Sequence, residues 1–399
     1  MKIAVWHNAP GGGAKRALDG QITGLVGRGH EVEVWSPSAD NFSWKPWAAR
    51  GRLSGILSDY RNGVSRMEAM RDSCRRSAEE INRGGFDMLF AYTCFQVASP
   101  FITRYVDLPK VLYLHEPNRA LHEANPAPPW MARVNENGVP VYRRPFRALA
   151  DHLRLRSIRL QVREEWLNAK AADLILVNSY FSVESVRRAY GLDSRVCPLG
   201  VDTTVFRPLP VEKEPILLGL GALYPHKGVE FAIRSAALLR KPRPKFVWIS
   251  QARHEAYLEE FQSLADSLGV ALEPRFHVTD EELVKTLNQA KLLFYAPYLE
   301  PFGYAPLEAS ACGTPVVAVA EGGVRETVKD GVNGLLVDRD AGQAAAAIQK
   351  ILDDAALAKR LGESGVAWVK DNWSLSNSLD KLEAFLSGSI KRKPSLAGY

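Results

Sequence analysis

The sequence predicts an α/β chain of two doubly wound domains, each a parallel sheet covered by helices, facing one another across a cleft. Three observations lead to this class. The chain has 399 residues, 46% of them hydrophobic, more than one ordinary domain holds and enough for two of similar size. Strand-length apolar runs alternate with helical stretches in both halves, the pattern of parallel sheets with crossover helices. A proline-rich segment, Pro208 to Pro215, separates the two series. The expected boundaries are a first domain at 1–205, a second at 206–373, and a closing helix with a tail at 374–399.

In the first half the strand candidates are Lys2 to Trp6, Glu31 to Ser36, Asp87 to Tyr92, Val111 to His115 and Asp173 to Asn178. The turn after the first, Asn8 to Gly13, carries three consecutive glycines and opens a helix that runs to Gly29. Backbone at Gly12 and Gly13 can therefore approach a ligand closely, although a tight turn alone would use the same residues. Asn41 to Gly84 contains Trp44 and Trp47 and reads as helical around Tyr60 to Asn82, without a strand. His115 ends a strand, where ligands of doubly wound sheets gather, although a packed histidine suits the same place. From Arg143 to Arg163 seven arginines interleave with leucines, isoleucine and valine. That stretch reads as a helix on the sheet with a solvated basic face, or as a surface for anionic membrane.

In the second half the strand candidates are Ile216 to Gly219, Lys245 to Ile249, Arg275 to Val278, Leu292 to Ala296, Val316 to Val319 and Gly334 to Val337. The most informative stretch lies between the fourth and the fifth. Pro306 suits the first turn of a helix and Gly313 its end, which puts Glu308 in the first turn and leaves Glu300 on the preceding loop. A helix N-terminus binds phosphate through free N–H groups, and carboxylates beside it accept hydrogen bonds from sugar or ribose hydroxyls. Such a site suits a nucleotide-sugar.

Glu300 and Glu308, with seven residues between them and Phe302-Gly303 inside, resemble the paired-glutamate signature of retaining glycosyltransferases of family 4, which have the GT-B fold of two Rossmann-like domains. The resemblance extends from the glycine loop through Gly322-Gly323 and Glu326 to Trp373, nearly the whole chain. It implies that Glu300 binds hydroxyls of the donor sugar, Glu308 the nucleotide ribose, Gly12 and Gly13 the phosphates and acceptor, and His115 the donor sugar. Lys227, with the amides of Phe302, Gly303, Tyr304, Ala305 and Leu307, would stabilise the leaving diphosphate. The implied catalytic set is His115, Lys227 and Glu300, and Arg253, after the strand ending at Ile249, is a further candidate for the donor. The chain departs from the family pattern at two places: Ala222 stands where the diphosphate loop usually carries arginine, and Leu199 where an asparagine precedes Gly200.

The implied reaction is hexosyl transfer, with mannose favoured by the His115 region, from a GDP- or UDP-linked sugar to a glycan, glycolipid or small-molecule hydroxyl, without a cofactor. Asp338-Arg339-Asp340 imitates a metal motif of another glycosyltransferase fold but falls in an expected turn, so no metal site is expected. The four cysteines lack C-x-x-C spacing, which disfavours structural zinc and a disulfide framework. A net charge of +6 favours anionic partners, and the absence of a recognised module disfavours nucleic acid. No apolar run approaches the roughly 20 residues of a membrane span, and Met1 leads straight into a strand, so a cytoplasmic protein, peripheral at most at the inner membrane face, is expected. A nucleotide-sugar epimerase of the same build, a non-catalytic nucleotide-sugar-binding protein and a basic membrane scaffold stand as alternatives.

Overall fold

The computed structural model describes residues 1–9, 11–37, 53–124, 128–131, 142 and 144–391. Trp44, Trp47, Arg143, Arg392 and Lys393, singled out in the sequence, lie outside the described residues. The first domain holds strands β1 (Lys2–Asn8), β2 (Glu31–Trp35), β3 (Met88–Cys94), β4 (Lys110–Tyr113), β5 (Leu174–Val177) and β6 (Arg195–Val196). Its helices are α1 (Gly13–Gly27), α2 (Leu53–Arg83), α3 (Arg119–His122), α4 (Arg144–Lys170) and α5 (Tyr180–Tyr190). The second domain holds β7 (Ile216–Leu220), β8 (Lys245–Ser250), β9 (Leu272–Phe276), β10 (Leu292–Tyr295), β11 (Val316–Val319) and β12 (Gly334–Val337). Around them lie α6 (Val229–Ala237), α7 (Glu255–Ser267), α8 (Asp280–Gln289), α9 (Tyr304–Ala311), α10 (Val324–Thr327), α11 (Ala341–Asp353) and α12 (Ala355–Asn372), and α13 (Leu375–Lys391) follows.

Both sheets are parallel and six-stranded, in the orders β2-β1-β3-β4-β5-β6 and β12-β11-β10-β7-β8-β9. Their central strands are apolar at nearly every position for a physical reason: alternate residues feed the cores on opposite faces. In β1, Ile3 and Val5 face one core while Ala4 and Trp6 face the other, and Phe90 and Tyr92 alternate with Leu89 and Ala91 in β3. Each fully buried side chain of this size contributes about 1.5–3 kcal/mol. Strand order reverses between β1 and β3 and between β7 and β10, and ligand crevices open at the carboxyl ends of such reversals.

The two domains are tied together by more than the linker. The core that begins at Ile3 and Val5 continues through Leu218, Tyr295 and Phe302 to Leu379, Leu382 and Leu386 of α13. That helix returns to the first domain, where Leu379 lies so close to Gly24 that an added Cβ would sit 2.2 Å from its Cδ1. Arg28 and His30 reach Glu383 at 2.9 Å each. Some elements differ from expectation. The strand expected from Arg275 to Val278 lies three residues earlier at its start, as β9: Leu272 packs in the core, and the backbone turns at His277, φ 53°, before Val278. Two-residue β6 carries too little pattern to read, and the closing helix, α13, extends as far as Lys391, with Ile390 packed on the core after Leu386.

Candidate active site

The second-domain wall of the cleft is built at its strand reversal. Lys227 follows β7 and Glu300 follows β10, adjacent strands whose carboxyl ends bring the two side chains together, Nζ donating to Oε2 at 2.8 Å. Burial alone would raise the Glu300 carboxyl, but the charge and hydrogen bond of Lys227, helped by Arg119, hold it below its usual value. The Glu300 loop is pressed against two glycines. A Cβ on Gly322 would lie 2.3 Å from the Glu300 carbonyl oxygen, and one on Gly323 would lie 2.1 Å from that of Pro301. Only glycine allows this approach, and the Gly323 N–H closes it by donating to the Glu300 carbonyl at 2.8 Å.

Gly303 then turns into α9 at φ 89°, ψ 58°. Tyr304 opens the helix, glycine in that left-handed conformation providing the entry, and Pro306 lies in the first turn as expected. Glu308 is consequently its fifth residue, at the start of the second turn and not in the first as expected. The amides that open the helix, those of Gly303, Tyr304 and Ala305, remain outside the helical ladder. Glu308 is buried, its side chain 1% exposed, and its Oε1 stands 3.0 Å from Nη2 of Arg16 in the other domain. That pair is close enough for an ion pair but off line for a hydrogen bond, so Glu308 Oε1 has no hydrogen-bond partner among the described residues. Burial raises the Glu308 carboxyl above its usual value, Arg16 opposes the rise and Asp280 adds to it.

The first-domain wall carries Gly12, Gly13, His115, Glu116 and Arg119. Gly12 caps α1, and Gly13 faces Tyr304, whose Cδ1 would lie 3.5 Å from an added Cβ. His115 leaves β4 packed edge-on against Tyr92 and Tyr113, with ring centroids 5.0 and 5.4 Å away. The Ser182 hydroxyl lies 2.8 Å from both Asn178 Oδ1 and the His115 carbonyl, and the Asn178 amide nitrogen faces His115 Nδ1 at 3.2 Å. With the amide nitrogen donating, Nδ1 accepts and the proton sits on Nε2, which is buried and without a partner among the described residues. Burial pushes His115 down to about 4, so the ring is a neutral donor at pH 7. Beside it, burial pushes the Glu116 carboxyl up to about 8, opposed by Arg119 and reinforced by Glu300. Arg119 crosses to the second domain, Nη1 donating to the Tyr298 carbonyl at 3.0 Å.

Other sequence candidates lie apart from this group. Arg253 is on an exposed loop, 2.7 Å from Glu255 and over the Phe276 ring. In α4, Arg154 is only 14% exposed and is committed to Asp151 and to the carbonyls of Pro129 and Met131, whereas Arg147, Arg156 and Arg159 are exposed. Asp340 caps α11 and Arg339 bonds Glu321 and two carbonyls, so Asp338 to Asp340 is the turn that was expected. Sequence reasoning missed Arg16, Glu116, Arg119 and Asn178. The first of these had a signal, since it lies one turn into the helix opened by the glycine loop. Asn178 had none, because its role depends on a neighbour 63 residues away.

The sequence matches two families in succession: Glycosyltransferase Family 4 over residues 11–205 and Glycosyl transferases group 1 over residues 201–368. A D-inositol 3-phosphate glycosyltransferase of Acidothermus cellulolyticus is 33% identical over 208 residues, 46% of this chain and 46% of that protein. A GDP-mannose-dependent alpha-(1-6)-phosphatidylinositol monomannoside mannosyltransferase of Mycolicibacterium smegmatis is 32% identical over 241 residues, 54% of this chain and 63% of that protein. The chain thus spans about half the length of the curated relatives it matches. Sucrose-phosphate synthase from Thermosynechococcus elongatus superposes with a TM-score of 0.70 at 18% identity, covering 98% of this chain and 100% of that one, and shares the GT-B fold.

Proposed function

The chain belongs to the family 4 glycosyltransferases of the GT-B fold, and from that premise we propose that it transfers a hexose from a nucleoside diphosphate to an acceptor hydroxyl with retention of the anomeric configuration. The observation that carries this reading is the Lys227–Glu300 pair beside the N-terminus of α9. In the reaction the bond from the anomeric carbon to the diphosphate oxygen breaks as the acceptor oxygen bonds to that carbon. The acceptor's proton passes to the departing phosphate oxygen. Negative charge grows on the diphosphate, and Lys227, the amides of Gly303, Tyr304 and Ala305, and the helix dipole stand ready to meet it without reorganisation. Glu300 accepts from the sugar's hydroxyls, the His115 Nε2–H donates to one, and Glu308 turns to the ribose. No residue of the group is assigned as a covalent nucleophile, and the phosphates are met without a metal ion.

GDP-mannose is the favoured donor, since one relative is named for its dependence on it. Both curated relatives are named for inositol-containing acceptors, which favours a polar headgroup or its lipid-linked form. Lipid-linked acceptors would bring the protein to a membrane surface. Exposed Trp130, Met131, Phe146 and Leu149 lie on or beside the first half of α4 with exposed Arg147, Arg156 and Arg159, a combination of apolar and basic groups suited to anionic lipid. No helix among the described residues is long and apolar enough to cross a membrane. Incubation with UDP-, GDP- and ADP-sugars, followed by the shift in melting temperature, tests donor binding. A rise with one nucleotide class is expected, and no rise with any would sink the proposal. An epimerase would convert that donor with no acceptor present, which product analysis separates.

A further inference from the structure

The family's diphosphate loop ordinarily carries an arginine where this chain has Ala222, a side chain that holds no charge. The two glutamates at the two ends of the donor site are nevertheless each matched by a cation. Glu300 meets Lys227 at 2.8 Å from its own domain, and Glu308 meets Arg16 at 3.0 Å from the other. Arg16 stands in the first turn of α1, its N–H bonded to the carbonyl of Gly12 at 3.0 Å. A cation at this positive end of a helix is disfavoured by the dipole, and Arg16 is also largely covered, its side chain 22% exposed. Its compensation comes from across the cleft: Nη1 donates to Asp280 at 2.6 Å and Nη2 faces Glu308. Nε is buried without a hydrogen-bond partner among the described residues, as is the Glu308 oxygen that Nη2 faces. Gly13 faces Tyr304, so the first turns of α1 and α9 look at each other across the same space.

We propose that Arg16 is the second diphosphate-binding cation of the donor site, supplied by the first domain in place of the arginine absent at Ala222. This rests on the glycosyltransferase reading. When a nucleotide enters, Glu308 turns to the ribose hydroxyls and the Arg16 donors facing it take phosphate oxygens, a geometry the guanidinium fork suits. Asp280 keeps the guanidinium in the cleft during the exchange. The donor site is thereby divided between the domains, Lys227 holding the sugar end of the diphosphate and Arg16 the nucleoside end.

The test is calorimetric titration of the full chain, of Arg16→Gln and of Arg16→Lys with UDP, GDP and ADP, with uridine, guanosine and adenosine followed by ligand-observed NMR. For whichever base the parent accepts, Arg16→Gln is expected to weaken diphosphate binding about tenfold or more. Nucleoside binding should be unchanged or tighter, since Glu308 is freed for the ribose, and Arg16→Lys should recover part of the loss. Diphosphate binding as tight as in the parent, or tighter, would show that Arg16 merely occupies Glu308. Equal weakening of diphosphate and nucleoside would reduce it to a support of the fold, and either result overturns the inference alone. A parent that binds none of the three diphosphates would overturn the glycosyltransferase reading with it.

Discussion

Glu300 and His115 act through the state of single groups, and each makes a distinct prediction. Replacing Glu300 by Gln removes the charge that Lys227 balances and leaves a weaker acceptor for sugar hydroxyls, so turnover should fall by about 10²-fold or more in a folded protein. Steady-state kinetics check this, and unchanged kcat would remove Glu300 from the site. For His115 the linkage has a definite sign. Its native value of about 4 lies below the unfolded value near 6.5, so between these the unfolded chain binds more protons. Stability is complete above pH 6.5 and declines as pH falls through 6.5 toward 4. Denaturant titrations of the parent and of His115→Gln should show that slope in the parent and a shallower one in the variant. Nitrogen NMR at pH 7 should find the proton on Nε2, and a proton on Nδ1 would contradict the Asn178 assignment.

Loop entries and helix faces decide how the site is held. Gly303 is left-handed, and a Cβ there would lie 2.8 Å from Thr327 Oγ1 and 3.3 Å from Val324 Cγ2. Gly303→Ala should therefore cost about 1–2 kcal/mol from backbone strain alone, read as a lower melting temperature, and should weaken nucleotide binding by shifting the first turn of α9. An unshifted melting temperature would mean that the α9 entry is not constrained as described. On α4, replacing Arg147, Arg156 and Arg159 by Gln should reduce binding to anionic vesicles, with each residue contributing about 1 kcal/mol near the surface. Arg154 belongs outside this set, because its guanidinium anchors the segment at Pro129 and Met131. Equal vesicle binding by variant and parent would leave α4 a solvated helix face. The sequence disclosed strands β10, β11 and β12 almost to the residue, because parallel strands, fully buried in β10 and β11, are short apolar runs bounded by turn residues. It placed Pro306 correctly in the first turn of α9 but Glu308 one turn too early, because a proline in the first turn does not say which of its positions it holds.

At the scale of the molecule, what the sequence could disclose was the motif within each domain, and what it could not was the meeting of the two. Lys227 and Glu300 lie on one sheet and share a recognisable pattern. Arg16 with Glu308, Arg119 with Tyr298, and Glu326 with the α5 N-terminus are contacts between domains, set by how the sheets face each other. Glu326 accepts from the N–H groups of both Tyr180 and Phe181 at 3.0 Å, closing one helix end from across the cleft. Ser179 does the same in reverse, donating to the Pro301 carbonyl at 2.5 Å beside the Glu300 loop. The domains thus hold each other at the donor site itself, and donor binding should be sensitive to both walls. The central claim is that this site moves a sugar with retention, meeting the diphosphate with Lys227, backbone amides and a helix end. The most direct measurement is NMR of the product formed from the accepted nucleotide-sugar with an inositol phosphate or its lipid-linked form as acceptor, in the presence of EDTA. The account predicts a glycoside with the donor's anomeric configuration, formed at an undiminished rate. An inverted product, or activity lost in EDTA and restored by Mg²⁺ or Mn²⁺, would contradict it.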